Sequence, residues 1–366
     1  MEYLKRQRSG RPAEQMLKEL VLEPPDCRIY EKVLKNWDSI AKPLDGMGRF
    51  EKLIAQTGAI LGTDNIDLSK KALIIMCADN GIVEEGVSQS GQEVTAAVAE
   101  QMGRGASSVG SMAAAAGVKT IPVDIGINQK EPIAGVLDRK IRRGTRNFNK
   151  EPAMTEEEAI RAIFTGIEIV EDCKKNGFQI LATGEMGIGN TTTSSALAAA
   201  LLGCEVDAVT GRGAGLCDER LQKKKKVIAD AVQKYGLCHA GPLTVLKSVG
   251  GLDIAGLAGV CIGGGMFHIP VVLDGVISLT AALLAERIVQ GTIAYLIPSH
   301  KGKEPAVEQL LTALNLEPVI NAEMALGEGT GAVMMLSLLE MALSVYRRGV
   351  LFSDIRLKQY ERYGQT

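Results

Sequence analysis

The 366-residue chain has few aromatic residues: Phe, Trp and Tyr make up 4% of it, with a single Trp. A protein that binds single strands by stacking bases on aromatic rings needs more of them. It also lacks an excess of positive charge. Forty-one Lys and Arg stand against 43 Asp and Glu, for a net charge of −2, which argues against a general nucleic-acid binder. The seven cysteines contain no CxxC pair and read as the reduced thiols of a cytoplasmic protein. The only histidines are His239, His268 and His300, too dispersed from the cysteines for a structural zinc site. Long apolar runs are missing too: the longest candidate, Leu257 to Phe267, is interrupted by glycine, so no membrane span is expected. The N-terminus, MEYLKRQRSGRPAEQ, is basic without an apolar centre. It reads as a short disordered arm and not as a secretory signal.

What is present is glycine, 41 residues of it, and a 46% share of hydrophobic residues. That mixture suits a globular α/β protein with many tight turns. The length exceeds one ordinary core, so a large domain with a smaller one is expected. Residues 13–37 read as two short helices broken at Glu23-Pro24-Pro25-Asp26, with Asp26 as cap of the second. A third helix runs from Phe50 to Leu61. Nothing in residues 1–65 calls for chemistry.

Strand and helix alternate from Lys71 onward. Strands are expected at 72–77, 118–125, 178–183, 269–273 and 293–297, with another short one beginning at Ala208. Helices are expected at 94–116, 155–176, 191–202, 218–235, 276–290 and 332–347, and over 242–268 with a break at Gly263-Gly264-Gly265. The helix at 155 has Thr155 and Glu158 placed for a capping box. The basic run Arg139 to Arg143 reads as a solvated face. In open α/β sheets ligands sit beyond the carboxyl ends of strands, which puts Asp79 and Asn80 at the rim of a site.

The most informative stretch is FQILATGEMGIGNTTTSSALAAALL, residues 178–202. A strand turns through Gly184, Gly187 and Gly189 and opens a helix at Asn190 or Thr191. Unpaired N–H groups and the positive end of the dipole make such a helix start an anion site, and the hydroxyls of Thr191, Thr192 and Thr193 add donors. No Lys precedes the threonines, so this is not a Walker A loop. Glu185 would repel a phosphate and so is expected to face another part of the ligand, such as a sugar hydroxyl. A second glycine turn, GRGAGL at 211–216, precedes Lys223 to Lys226, one of which can partner a phosphate. A second glycine-flanked carboxylate, Glu328, lies in LGEGTGA at 326–332, again just before a helix. His300, at a strand end, reads either as catalytic or as bonded to a backbone carbonyl.

GEMGIGNTT at 184–192, GRGAGL at 211–216, VGGLDIAGLAG at 249–259, LDG at 273–275, YLIPSH at 295–300 and LGEGTGA at 326–332 together resemble the nicotinate-nucleotide:dimethylbenzimidazole phosphoribosyltransferase family. The likeness runs from about Pro43 to about Gly349. It implies transfer of the phosphoribosyl group of nicotinate mononucleotide to 5,6-dimethylbenzimidazole, giving α-ribazole phosphate for the nucleotide loop of cobalamin. It also implies a homodimer and a doubly wound, mostly parallel, Rossmann-like α/β sheet over residues 66–332. A smaller helical domain would be built from both chain ends, 1–65 and 333–366.

By the same resemblance, Glu328 is the catalytic base and Glu185 a second active-site carboxylate. Gly187, Gly189, Asn190, Thr191, Gly213 and Lys224 bind phosphate and ribose. Ser90, Asp79, Ile188 and Leu326 surround the acceptor base. The chain departs from the family pattern at Asn80, Val98 and Ile188, where members often show His, Gln and Met. Neither a cofactor nor a metal is required, because nicotinate leaves a positively charged pyridinium as a neutral ring. The alternatives are a related enzyme using adenine or a phenol as acceptor, and a non-catalytic nucleotide sensor.

Overall fold

A computed structural model describes residues 13–362; the N-terminal arm falls outside the described residues. Three helices come first: α1 (Ala13–Lys18), α2 (Cys27–Ser39) and α3 (Arg49–Leu61). Asp26 caps α2, its side chain accepting from the Arg28 N–H at 2.9 Å. Then follow β1 (Lys71–Ala78), α4 (Glu93–Gly103), α5 (Ser108–Ala115), β2 (Val118–Gly126) and β3 (Leu137–Asp138). The middle of the chain holds α6 (Glu156–Lys175), β4 (Ile180–Met186), α7 (Asn190–Leu202), the single turn α8 (Val206–Val209) and α9 (Asp218–Lys234). The last part holds α10 (Pro242–Val249), α11 (Leu252–Met266), β5 (Val271–Leu273), α12 (Val276–Ile288), β6 (Leu296–Pro298), α13 (Ala306–Ala313) and α14 (Thr330–Arg348). None of these helices is long and apolar enough to cross a membrane.

The six strands form one sheet in the order β3-β2-β1-β4-β5-β6, every neighbouring pair parallel. This is the doubly wound arrangement, and the strand order reverses between β1 and β4. Both faces are covered, as a parallel sheet requires. Along β1 the side chains alternate between two cores: Ala72, Ile74 and Met76 meet one, Leu73, Ile75 and Cys77 the other. The first core contains α6, α7, α10, α11 and α12. The second is built from α2, α3, α5 and α14, with Trp37 fully buried 5.2 Å from the Tyr346 ring. Helices from both chain ends therefore close the same face of the sheet.

Several boundaries differ from the sequence reading, each for a local reason. The helix expected over 94–116 is two, because Gly105 takes a left-handed φ of 71° and Ser107 caps a new start by accepting from Gly110 N–H. The break expected at Gly263-Gly264-Gly265 lies instead at Gly250-Gly251. The three glycines stay helical because neighbours press on them: a first side-chain carbon at Gly263 would lie 2.9 Å from Val170 Cβ, and one at Gly265 2.6 Å from Leu22 Cδ1. The segment from Ala208 forms no strand: Ala208 and Val209 end the single turn α8 and Thr210 is extended; α13 is a helix that the sequence reading does not contain. Strand β4 runs on to Met186, so Glu185 belongs to the strand and not to the turn.

The tightest helix contact joins α6 and α11. A first side-chain carbon at Gly259 would sit 1.9 Å from the Ile163 carbonyl oxygen, and one at Gly166 2.0 Å from that of Gly256. Only backbones can approach this closely. Gly259→Ala is therefore expected to lower unfolding stability by about 1–3 kcal/mol or more, measured by urea titration. An unchanged midpoint would mean that these helices separate without cost.

Candidate active site

The site is built where the sheet order reverses. Beyond β4 the chain turns through Gly187 and Gly189 into α7. Gly187 is pressed on both sides, since a side chain there would meet the Ala78 carbonyl oxygen at 2.5 Å and Asp253 Oδ2 at 2.6 Å. Gly189 has a φ of 93°, the left-handed region that glycine enters freely. The N–H groups of Asn190, Thr192 and Thr193 bond to carbonyls of this turn. That of Thr191 has no acceptor among the described residues, and so the helix start offers it to a ligand.

Of the three threonines, only Thr191 faces the open side. Thr193 donates its hydroxyl to Asn80 Oδ1 at 2.9 Å, and the Thr192 hydroxyl is fully buried. Thr191 Oγ1 accepts from Lys224 Nζ at 3.0 Å, and the same ammonium donates to the Gly211 carbonyl at 3.0 Å. Gly213, with φ 52°, stands over them, a side chain there reaching within 2.7 Å of Thr191 Oγ1. The two glycine turns and the lysine thus converge. Lys224 is fully buried, and burial pushes its pKa down to about 8. The ammonium is held under the cradle, with two acceptors for its three protons.

The carboxylates gather around the same turn. Glu185 is the last residue but one of β4, paired in register with Met76 of β1. Its side chain is partly open to the cleft yet densely surrounded, and burial pushes its pKa up to about 7, with Asp253 and Asp274 adding to the effect. The Asn190 amide donates both to Glu185 and to Asp253 Oδ2. Asp253 is fully buried at the start of α11, and burial pushes it up to about 6. The backbone of Glu328 lies close to the Glu185 carboxylate and offsets part of its upward shift.

Glu328 lies between Gly327 and Gly329 and itself has a positive φ of 61°. A non-glycine residue holds that conformation only where its surroundings fix it. Here they do so twice. The Glu328 carbonyl packs on Gly184, where a side chain would lie 2.4 Å from its oxygen. The Asp274 carboxylate, just past β5, accepts from the N–H groups of Gly329 at 3.0 Å, Gly331 at 2.9 Å and Ala332 at 3.2 Å. The Glu328 side chain reaches Val109 N–H at 3.3 Å, in the first turn of α5, and burial raises its pKa.

The site opens into a cleft of about 220 Å³. Glu185, Gly187, Ile188, Asn190, Thr191 and Gly213 line it together with Asp274, His300 and Leu326. Lys224 stands directly behind the lining. Glu328 is next to it in the chain but turns its carboxylate toward α5. Gly189, in the turn before α7, is not part of the lining either, and Asp79 and Ser90 lie away from the cleft. Asp79 is buried at the end of β1, where it accepts from Asn128 N–H at 2.7 Å. Ser90 is exposed, on a loop tied to the second glycine turn by Gln89, which donates to the Gly215 carbonyl. Asp253 and Asp274 have no role in the sequence reading, although both lie in its motifs. They look like ordinary helix-start and strand-end residues until the fold supplies their partners.

Comparison with known proteins gives one answer. A family model described as Phosphoribosyltransferase matches residues 22–355. The nicotinate-nucleotide–dimethylbenzimidazole phosphoribosyltransferase of Acetivibrio thermocellus is 43% identical over 343 residues, 94% of this chain and 96% of that protein. The enzyme of the same name from Clostridium acetobutylicum is 40% identical over 336 residues, covering 92% and 96%. The crystal structure of CobT from Thermus thermophilus superposes with a TM-score of 0.86 at 36% identity, covering 91% of this chain and all of that one. The chain belongs to the nicotinate-nucleotide–dimethylbenzimidazole phosphoribosyltransferase family.

Proposed function

We propose that the protein transfers the 5-phosphoribosyl group of nicotinate mononucleotide to 5,6-dimethylbenzimidazole, releasing nicotinate and α-ribazole 5′-phosphate. The arrangement that supports this reading is a corner where Thr191 N–H and Gly213 meet over the buried Lys224 ammonium, with Glu185 on the cleft lining and Glu328 just beyond it, both carboxylates of raised pKa. The phosphate takes that corner, Glu185 faces the ribose, and the acceptor ring lies between Leu326 and Glu328.

The chemistry follows from that placement. One benzimidazole nitrogen attacks C1′ while the bond from C1′ to the pyridinium nitrogen breaks, and its electron pair leaves with nicotinate as a neutral ring. The sugar centre inverts from β to α because the acceptor enters on the face opposite the departing ring. The new N–C bond acidifies the proton on the other benzimidazole nitrogen, and Glu328 removes it. A carboxylate whose pKa is raised toward working pH is a better base than an ordinary one. Holding two planar rings across one ribose accounts for much of the remaining acceleration. Within this reading the protein is a homodimer, and the exposed Met334 and Met341 on α14 suit a face covered by a second copy.

The test is a panel of acceptors, dimethylbenzimidazole, adenine and a phenol, each incubated with nicotinate mononucleotide. Dimethylbenzimidazole should be consumed fastest and give the α-anomer. Preference for another acceptor would reassign the substrate, and nucleotide binding without turnover of any acceptor would favour a sensor. In the same assay Glu328→Gln is expected to lower turnover by roughly 10²–10⁴ with nucleotide affinity nearly unchanged. Near-normal turnover would move proton removal to Glu185 or water.

Lys224→Met keeps the buried stem and deletes the charge. It should weaken nicotinate mononucleotide binding by about 1.5–3 kcal/mol and leave benzimidazole binding unaltered, both read by calorimetric titration. Unaltered nucleotide affinity would remove Lys224 from the phosphate corner.

A further inference from the structure

His300 follows β6, is 5% exposed, and lines the same cleft as Glu185 and Thr191. The ring is wedged against α14, where a first side-chain carbon at Gly331 would lie 2.0 Å from Nδ1. Nδ1 is 2.9 Å from the Ser299 hydroxyl and 3.9 Å from Asp274 Oδ1. The other nitrogen, Nε2, has no partner among the described residues. It is flanked by two residues without side chains: first carbons built at Gly275 and Gly302 would stand 3.7 and 3.6 Å from it. A ring nitrogen of a nearly buried histidine is thus left open to a cleft from which neighbouring side chains have been withdrawn.

The surroundings favour a proton on Nδ1. The buried Ser299 hydroxyl has the Asp274 carbonyl at 3.4 Å as an acceptor for its own proton, which leaves its oxygen able to accept from Nδ1. The nearby Asp274 carboxylate likewise favours a proton on Nδ1. In the neutral ring a proton on Nδ1 leaves Nε2 as an acceptor. An acceptor there suits a ligand O–H group and not a phosphate oxygen or a carboxylate.

We infer that His300 Nε2 is a further nucleotide contact, accepting a hydrogen bond from a ribose hydroxyl. The inference rests on the phosphoribosyl reading above. The placement fits it, because the chain beyond His300 leads straight to the phosphate corner: a side chain at Gly211 would collide with Glu304. The segment 300–304 therefore links the α14 start to the second glycine turn, and a ribose carrying a phosphate in that turn lies beside the imidazole. Glu185 lines the same cleft and, in that reading, faces the same sugar.

The experiment is a calorimetric titration of nicotinate mononucleotide and its 2′-deoxy and 3′-deoxy analogues into wild-type protein, His300→Ala and His300→Gln, below the thermal transition of each. In wild type, removing the contacted hydroxyl should weaken binding roughly tenfold. In His300→Ala the same removal should cost almost nothing further. His300→Gln, whose amide oxygen can replace Nε2, should recover most of the sensitivity. Equal losses for the deoxy analogues in wild type and His300→Ala would overturn the inference, as would wild-type indifference to both hydroxyls. Wild-type protein that binds no nicotinate mononucleotide would remove the phosphoribosyl reading and this inference together. That outcome is visible before any variant is measured.

Discussion

The site depends on one carboxylate that need not touch substrate. Asp274 lies just past β5 and accepts from three N–H groups at the start of α14. Those are among the amides a helix cannot satisfy internally, and the helix dipole favours a negative charge there. The bond ties the longest helix of the C-terminal half to the end of the sheet. It also fixes the glycine loop that carries Glu328, and through the Glu328 carbonyl, packed on Gly184, it reaches β4 beside Glu185. Two strands, one helix and both candidate catalytic carboxylates are thereby held to one another.

Helices α7 and α14 begin on similar local sequences and do different work. Each opens directly after a glycine in the left-handed conformation, Gly189 and Gly329, and each has a glutamate nearby. At α14 the anion is supplied by the protein itself, so that end is closed. At α7 the nearest carboxylates are turned aside, bonded by the Asn190 amide, and Thr191 N–H stays open beside a buried lysine. The one helix start serves as a structural clamp and the other as an anion site. Burying Glu185, Asp253 and Lys224 costs stability, since each would be better solvated in water. Placing that cost at a cleft is what a binding site for a charged, polyhydroxylated ligand requires.

Much of this is legible in the sequence. The α/β alternation, the strand ends and the glycine turns at 184–189 and 211–216 follow from apolar runs punctuated by glycine. That one of Lys223 to Lys226 serves those turns is suggested by proximity in sequence, and the choice of Lys224 comes from the family resemblance. What is not legible depends on distant partners. Nothing near Asp274 announces that its carboxylate meets Gly331, 57 residues on. Nothing near Gly184 shows that it is small to admit the Glu328 carbonyl. The three glycines at 263–265 read as a helix break because glycine is a weak helix former, but packing against Val170 and Leu22 overrides propensity there. The inward turn of Thr192 and Thr193 is equally invisible, since α7 is buried on nearly every side and its sequence marks no outer face.

Amide hydrogen exchange in Asp274→Asn probes the clamp most directly. Asparagine keeps the size but offers one oxygen where the native side chain offers two charged ones. If Asp274 holds the loop, the amides of Gly329, Gly331 and Ala332 are protected in the native protein and exchange orders of magnitude faster in the variant, while strand β1 stays protected. Unchanged protection at those three amides would contradict the account, and the position of Glu328 would have to be set by something other than this carboxylate.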